Sequence, residues 1–406
     1  MTAMETQCCI AGGGPAGMML GFLLARAGVD VVVLEKHADF LRDFRGDTIH
    51  PSTLELMYEI GLLEEFLKVP HQKVLEAQGR VGKDFLKLVD FTHLPTHCKF
   101  LALMPQWDFL NFLAAQGNRY PGFRVEMKAE VADLVEQDGR VAGVIAKTAQ
   151  GEVRIHARLT VGADGRRSVV RERAGLQVID LDAPMDVLWM RISRQAGDPS
   201  QALGHVETGR MFIMLDRGDY WQCGFIIAKG AADEVRRRGI EKFREDIAML
   251  EPFLADRVQE LRDWNDVNLL TVKVDRLRRW WRPGLLCIGD AAHAMSPVGG
   301  VGINLAVQDA VAAANILAPQ FAAGIISDKD LQAVQNRREL PARITQAVQV
   351  FVQNNVIRRV LSSEHPLSAP WPLKLMQRWP FLRRFPGRAI GMGFRPEHVR
   401  TPDIAA

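Results

Sequence analysis

Apolar runs and glycines alternate abruptly at the start of the chain. An apolar run at 7–11 leads into a glycine turn at 12–17, then a mostly apolar stretch at 18–27 that Gly28 closes. A nearly unbroken β-branched run follows at 29–35. A strand covered on both faces needs no polar alternation, so this order predicts strand, tight turn, helix and strand, one βαβ unit of a parallel sheet. Between 51 and 67, Leu54, Met57, Tyr58, Leu62, Leu63 and Phe66 recur near helical spacing. Pro51, Ser52 and Thr53 with Glu55 in the first turn mark the start of that helix. A further helix is expected at 106–116. Alternation at 123–135 and 140–146 around Asp138-Gly139 predicts a β-meander, and 152–162 returns a strand to the main sheet.

From about 180 to 274 the texture changes. Short strands are expected at 187–192, 202–207, 210–215 and 220–227, punctuated by Gly209 and the turn at 216–219, and a charged helical region follows at 232–250. This stretch reads as an antiparallel unit inserted into the first. The run at 285–288 resembles a return to the parallel sheet, with helices at 302–317 and 337–361 behind it. The fold class is α/β, a Rossmann-like unit with an inserted antiparallel sheet and C-terminal helices.

Composition narrows the function only by exclusion. The 406 residues are 48% hydrophobic and 24% charged, ordinary for a globular chain with a large core. A net charge of +3 is too balanced to imply a nucleic-acid partner. Cys8, Cys9, Cys98, Cys223 and Cys287 form no C-x-x-C pair and no metal-ligand spacing, which suits buried thiols in a reducing compartment. No basic segment precedes 18–27, and no run of about twenty apolar residues is apparent. The expectation is a cytoplasmic protein without a membrane-spanning segment.

Three motifs carry chemistry. Gly12-Gly13-Gly14-Pro15-Ala16-Gly17 fits G-x-G-x-x-G: Gly12 for the tight turn, Gly14 for close approach of a pyrophosphate, Gly17 for helix–strand packing. Glu35 ends the second strand at the spacing of an acid that bonds ribose hydroxyls, and it disfavours a 2′-phosphate. The second motif is Gly289-Asp290-Ala291-Ala292-His293, followed by Pro297, Gly299, Gly300, Gly302 and Asn304. A strand leads in and a helix leads out, so another helix N-terminus can face a polar ligand. Asp290 is placed to accept hydrogen bonds from a ribityl chain, and His293 has a structural place beside it. The third is Val161-Gly162-Ala163-Asp164-Gly165 with Arg166, Arg167 and Ser168, which alone reads as a turn.

Together, in this order, the motifs resemble those of the class A flavoprotein monooxygenases, the para-hydroxybenzoate hydroxylase-like family. Arg45-Gly46-Asp47 and Gln106 at a helix start add to the likeness, which spans about residues 8 to 315. The resemblance implies FAD as cofactor, with NADPH or NADH as transient reductant. It implies that Glu35, with Lys36 beside it, binds the adenosine ribose, that Arg45 and Gln106 contact the pyrophosphate and ribityl region, and that Val131 lies against adenine. Asp164 would support both FAD and nicotinamide use. Pro297, Gly299, Gly300, Val301, Gly302, Ile303 and Asn304 would line the flavin ring, with Pro297 and Gly299 closest to the chemistry. The implied reaction is hydroxylation of an aromatic or other electron-rich ring by O₂ through a flavin C4a-hydroperoxide. The implied division is an FAD-binding domain at 1–75, 100–180 and 275–330, a substrate-binding sheet at 76–99 and 181–274, and a C-terminal helical segment and basic tail at 331–406.

The substrate is less legible. Trp189, Arg191, His205, Met211, Phe212, Met214, Tyr220 and Gln222 are candidates for the wall over the flavin, although such a stripe is also what ordinary core looks like. A base for a phenol could be Tyr220, His205, His50 or His71. Arg191 alone is thin support for a carboxylated phenol, and the Met and Trp content suits a larger apolar ring system such as a polyketide, quinone precursor or heteroaromatic. Ring reduction, halogenation and non-catalytic flavin binding are the alternatives. The W-x-W-x-I-P signature of halogenases is absent, and Cys8-Cys9 lies inside a strand rather than in a redox-active pair. The tail from 366 to 400 is basic and interleaved with Trp371, Trp379, Phe381 and Phe385. It either wraps its own catalytic domain or meets a membrane surface or second subunit.

Overall fold

The computed structural model describes residues 2–41, 48–199 and 203–404. The β-branched run at Val31–Glu35 is buried throughout and lies inside an eight-stranded sheet. Burying each of its valines stabilises the fold by roughly 1.5–3 kcal/mol. Along the sheet the order is Trp281–Arg282, Leu285–Cys287, Gly151–Gly162, Thr2–Ala11, Val31–Glu35 and Phe123–Met127, and every pairing but the first is parallel. Glu130–Gln137 and Arg140–Thr148 extend it as an antiparallel flap. The expected meander is thus split. Phe123–Met127 belongs to the parallel sheet, because its chain enters beside Val31 rather than turning back on the flap.

Register explains why distant motifs meet. Ala11 stands beside Leu34 on one side and Gly162 on the other, and Gly162 stands beside Cys287. The loops at 12–17, 36–41, 163–168 and 288–293 therefore leave the carboxyl ends of neighbouring parallel strands at one edge, where ligands bind in such sheets.

Behind the sheet, the fingerprint helix Pro15–Arg26 packs against the 21-residue helix Gly302–Ala322. By length and composition the stretch Val298–Ala322 could cross a membrane, but 83% of its most apolar window is buried inside the fold. Its alanines at 310, 313 and 314 are buried in the main core, so it is a core helix. The expected helix at 51–67 breaks into Pro51–Glu59 and Leu63–Phe66, because Gly61 takes φ +73° and the Leu62 amide turns back to the Met57 carbonyl. The helix expected at 337–361 starts earlier and runs Asp328–Val352, passing through a π-turn at Gln353–Ile357 into Arg358–Leu361.

A seven-stranded sheet holds Asn268–Leu270, Met185–Ser193, Tyr220–Ala228, Arg210–Asp216, Leu203–Glu207, Glu76–Val81 and Asp84–Asp90 in that order. Its outer face is covered by the helices Ala232–Arg237 and Ile240–Leu250, which the left-handed Gly239 separates. Its inner face packs toward Val298, Val350 and Leu361, that is, toward the loop after the Gly-Asp motif. All five cysteines are buried and unpaired, and burial pushes the Cys9 thiol up to about 12.

Candidate active site

The fingerprint turn is fixed by backbone. Gly12 takes φ +106°, and a Cβ there would lie 2.4 Å from the Ala163 carbonyl oxygen; a Cβ on Gly17 would lie 2.0 Å from that of Gly12. The first and third motifs therefore touch. Gly289, at φ +59°, brings the second against the fingerprint helix, its would-be Cβ 3.0 Å from that of Ala16. Glu35 spans the edge: one carboxylate oxygen accepts from the Gly13 amide at 3.1 Å, the other from the His37 amide at 3.0 Å. The Glu35 carbonyl accepts from the Ala129 amide at 2.9 Å, which places the strand bearing the buried Val131 beside the same end. Lys36 is exposed beyond it. Gln106 is the first residue of the helix Gln106–Gly117 and half-buried. Arg45, Gly46 and Asp47 lie outside the described residues.

The Asp164 carboxylate is taken up locally. It accepts from the Ser168 hydroxyl and from the Val170 amide, and so holds in place Ser168, the N-cap of the short helix Val169–Arg173. Burial raises its pKa against those hydrogen bonds. Asp290 is bridged instead by Arg166, Nε to Oδ2 at 3.0 Å, which joins the second and third motifs.

After Asp290 the chain passes through Pro297, half-buried, and Gly299, exposed, into the long helix. Gly299 and Gly300 hold φ +79° and +64°. The Gly300 carbonyl accepts from the Thr48 hydroxyl at 2.9 Å. Val301 and Ile303 point into the core, so that only their backbone faces the edge. The Asn304 side chain likewise turns away, its Oδ1 accepting from Ser52 at 2.7 Å and Thr53 at 3.0 Å.

Protein contacts test whether FAD fits. The chain's own backbone forbids a side chain at Gly12 and Gly17, but a Cβ at Gly14 or Gly302 would meet no protein atom within 4 Å. Both glycines stand at the N-termini of long helices that no side chain caps. Two sets of helix N–H groups with clear approach, flanked by Glu35 and Asp290, suit the pyrophosphate and the oxygen-rich flavin edge of FAD.

Several determinants escaped the sequence reading. Asp309, buried on the long helix, accepts from Gly289 N at 3.0 Å and from Arg338 Nε at 3.0 Å, and lies 2.6 Å from His293 Nε2. Burial alone would raise its pKa, but His293 and Arg338 outweigh it and hold the carboxyl below the ordinary range. Arg338 also donates to Glu397 at 3.2 Å, which ties the tail to the Gly-Asp loop. Gln346, Gln349 and Gln353 form a second set. Gln346 donates to the Ala294 carbonyl, Gln349 to those of Ser296 and Val298, and Gln353 to the Ser296 hydroxyl. An aspartate inside an apolar helix and glutamines at i, i+3 and i+7 were the available signals.

The substrate candidates divide by sheet face. Trp189, Arg191, Met211, Tyr220 and Gln222 share the inner face, as their cross-strand pairs show. Met214, Phe212 and His205 do not, a correction to the sequence reading. Met214 and Phe212 are buried against the outer helices, and His205 bonds Glu251 at the end of one of them at 3.1 Å. Strand alternation puts them on the far side. His50 is also displaced from a role as base: it is fully buried between the carbonyls of Gly300 and Ile390. His71 bonds the Val69 carbonyl and stacks on Phe100. Tyr220 lies under the Arg191 guanidinium, 4.8 Å from ring centroid to carbon.

A parallel sheet with two uncapped helix N-termini and an acid at each end of the crevice defines a dinucleotide-type flavoprotein. The chain matches the FAD binding domain family over residues 5–348 and belongs to it, as an FAD-dependent monooxygenase with NAD(P)H as reductant. The 6-methylpretetramide 4-monooxygenase of Streptomyces rimosus is 33% identical over 98% of this chain and 94% of its own length. The para-nitrophenol 4-monooxygenase of Pseudomonas sp. strain WBC-3 is 25% identical over 74% of this chain and 75% of its own. The p-nitrophenol 4-monooxygenase PnpA of Pseudomonas putida DLL-E4 has the same fold, with TM-score 0.75 and 21% identity over 94% of this chain and 98% of that one.

Proposed function

We propose that this enzyme hydroxylates a polycyclic, polyketide-like aromatic ring held between the flavin and the inner face of the seven-stranded sheet. In this reading residues 1–75, 100–180 and 275–330 form the FAD-binding domain, and 76–99 with 181–274 the substrate domain. The observation that carries it is an apolar platform. Trp189 lies flat over Gly224, where a Cβ would come within 3.0 Å of its ring, and packs with Met211, Ile213 and Val298. Its indole N–H is buried with no hydrogen-bond partner. Small phenols would leave most of such a platform wet. The similarity to a monooxygenase named for a polycyclic ring, over nearly the whole of both chains, supports the same class.

Bound in this crevice, FAD would supply the two-electron redox chemistry that links NAD(P)H to O₂. The chain's residues supply the rest. The N–H groups of Gly14, Ala16 and Gly17 would hold the pyrophosphate, Glu35 the ribose and Asp290 the ribityl hydroxyls, while Pro297, Gly299 and Gly300 would set the loop against the ring. Trp189, Met211 and Ile213 orient the substrate and exclude water. Tyr220 stands four residues, about 13 Å, along its strand from Gly224. That places it, with Arg191, at the rim rather than the centre of the platform.

The test is NAD(P)H oxidation across a panel from single-ring phenols to four-ring naphthacenes, with mass spectrometry for one oxygen atom taken from labelled O₂. Polycyclic members should stimulate turnover and gain the label; hydroxylation confined to single-ring phenols would overturn the reading. Asp290→Ala is expected to weaken FAD at least tenfold, about 1.4 kcal/mol, by flavin-fluorescence titration, and an unchanged Kd would remove Asp290 from its role.

A further inference from the structure

The tail wraps the body of the protein, yet it leaves one surface unaccounted for. The helices Trp371–Arg378 and Arg384–Gly391 each turn one face to the strand Asp84–Asp90. Gln377 pairs with the Lys87 backbone, accepting at 3.1 Å and donating at 2.8 Å. Gly387 passes so close that a Cβ would lie 2.0 Å from the Asp90 carbonyl oxygen. The acids beneath are already engaged: Asp84 accepts from Ala369 N at 3.1 Å, and Asp90 from Thr92 N at 2.8 Å.

The outward faces are different. Trp371 is 75% exposed, Phe385 66%, Phe381 52% and Trp379 48%, too much aromatic surface in one short stretch for an ordinary solvent face. Trp371, Lys374 and Arg378 fall at i, i+3 and i+7, hence on one side of their helix, and Phe385 is flanked by the exposed Arg384 and Arg388. No acidic residue occurs between Glu364 and Glu397, against six bases. Five of them, Lys374, Arg378, Arg383, Arg384 and Arg388, lie within 371–388 and exceed the chain's net +3, so everything outside that belt is net acidic by two. Rings that suit the headgroup level, interleaved with bases and backed by an oppositely charged body, are the signature of a surface that settles on anionic lipid. A second copy is a poorer occupant, since a twofold contact through this belt sets its bases against themselves.

We propose that the belt formed by residues 371–388 docks the enzyme peripherally on an anionic lipid bilayer. The test is sedimentation of the FAD-loaded full-length chain with phosphatidylcholine vesicles, with and without phosphatidylglycerol. Binding should be at least about tenfold tighter with phosphatidylglycerol and should weaken as salt rises. Trp371→Ser combined with Phe385→Ser should abolish it, and Lys374→Glu combined with Arg388→Glu should remove the preference for anionic lipid, with bound FAD unchanged in both. Equal recovery in the supernatant with either vesicle overturns the proposal. So does vesicle binding that both double variants leave intact, or a dimer in light scattering that the variants dissolve. The salt series on the wild-type chain decides the matter even if a variant fails to fold.

Discussion

Gly12→Ala is expected to give a protein that binds no FAD. At φ +106° an alanine is strained by roughly 1–3 kcal/mol before any contact is considered. Its methyl would also lie 2.4 Å from the oxygen and 2.6 Å from the carbon of the Ala163 carbonyl. Neither neighbour is a side chain that can swing aside. The Ala163 amide also donates to the Ala11 carbonyl at 2.7 Å, so relief would part the two strands at the edge where the motifs meet. Gly14→Ala is the informative contrast, because the protein leaves room for that methyl. It should fold with unchanged thermal stability as apoprotein while losing flavin affinity. Absorbance of bound flavin and thermal melting of both variants check this. A yellow Gly12→Ala protein of normal stoichiometry would show that the turn tolerates what its geometry forbids.

Arg338→Leu should be strongly destabilising, by about 3–5 kcal/mol, because it leaves buried carboxylates behind the Gly-Asp loop short of a cation. Among the described residues, Asp309 would retain His293 and Glu397 would retain Arg337 at 2.6 Å. The carboxyl of Asp309 sits below its ordinary range in the native protein, since His293 and Arg338 overcome the opposing effect of burial. A depressed folded-state pKa contributes stability that is present above the unfolded value and lost as pH falls through the folded one. Removing Arg338 lifts that folded value, so the variant should lose stability at less acid pH than the wild type. Denaturant midpoints measured from neutral to acid pH read both effects. Coincident curves for the two proteins would mean that the network contributes little.

Legibility followed the range of the physics involved. The parallel sheet was readable because its signals are local: an unbroken β-branched run at Val31–Glu35 and glycines at 12, 14 and 17 whose roles follow from the turn itself. The cofactor edge was readable because three such local signals occur in a fixed order. Face assignment in the inserted sheet was harder. His205, Phe212 and Met214 resemble Met211 in composition, and only strand register decides which of them meets the outer helices. Apparent helix continuity misled in the same way at Gly61 and Gly239, where one left-handed residue ends a helix inside an otherwise regular pattern. Least visible were partners distant in sequence. Nothing local to Asp309 points to Arg338, and nothing near Ser296 points to Gln349.

The three glutamines that grip the loop at 294–298, two by its backbone and Gln353 by the Ser296 hydroxyl, have an electrical consequence as well as a mechanical one. A carboxylate or an ammonium could anchor the same peptide groups, but each would bring a full charge next to the redox ring and change with acidity. An amide offers donor and acceptor together and ionises at no accessible pH. The strap is therefore silent: it fixes where the loop lies without adding a charge that would vary with acidity.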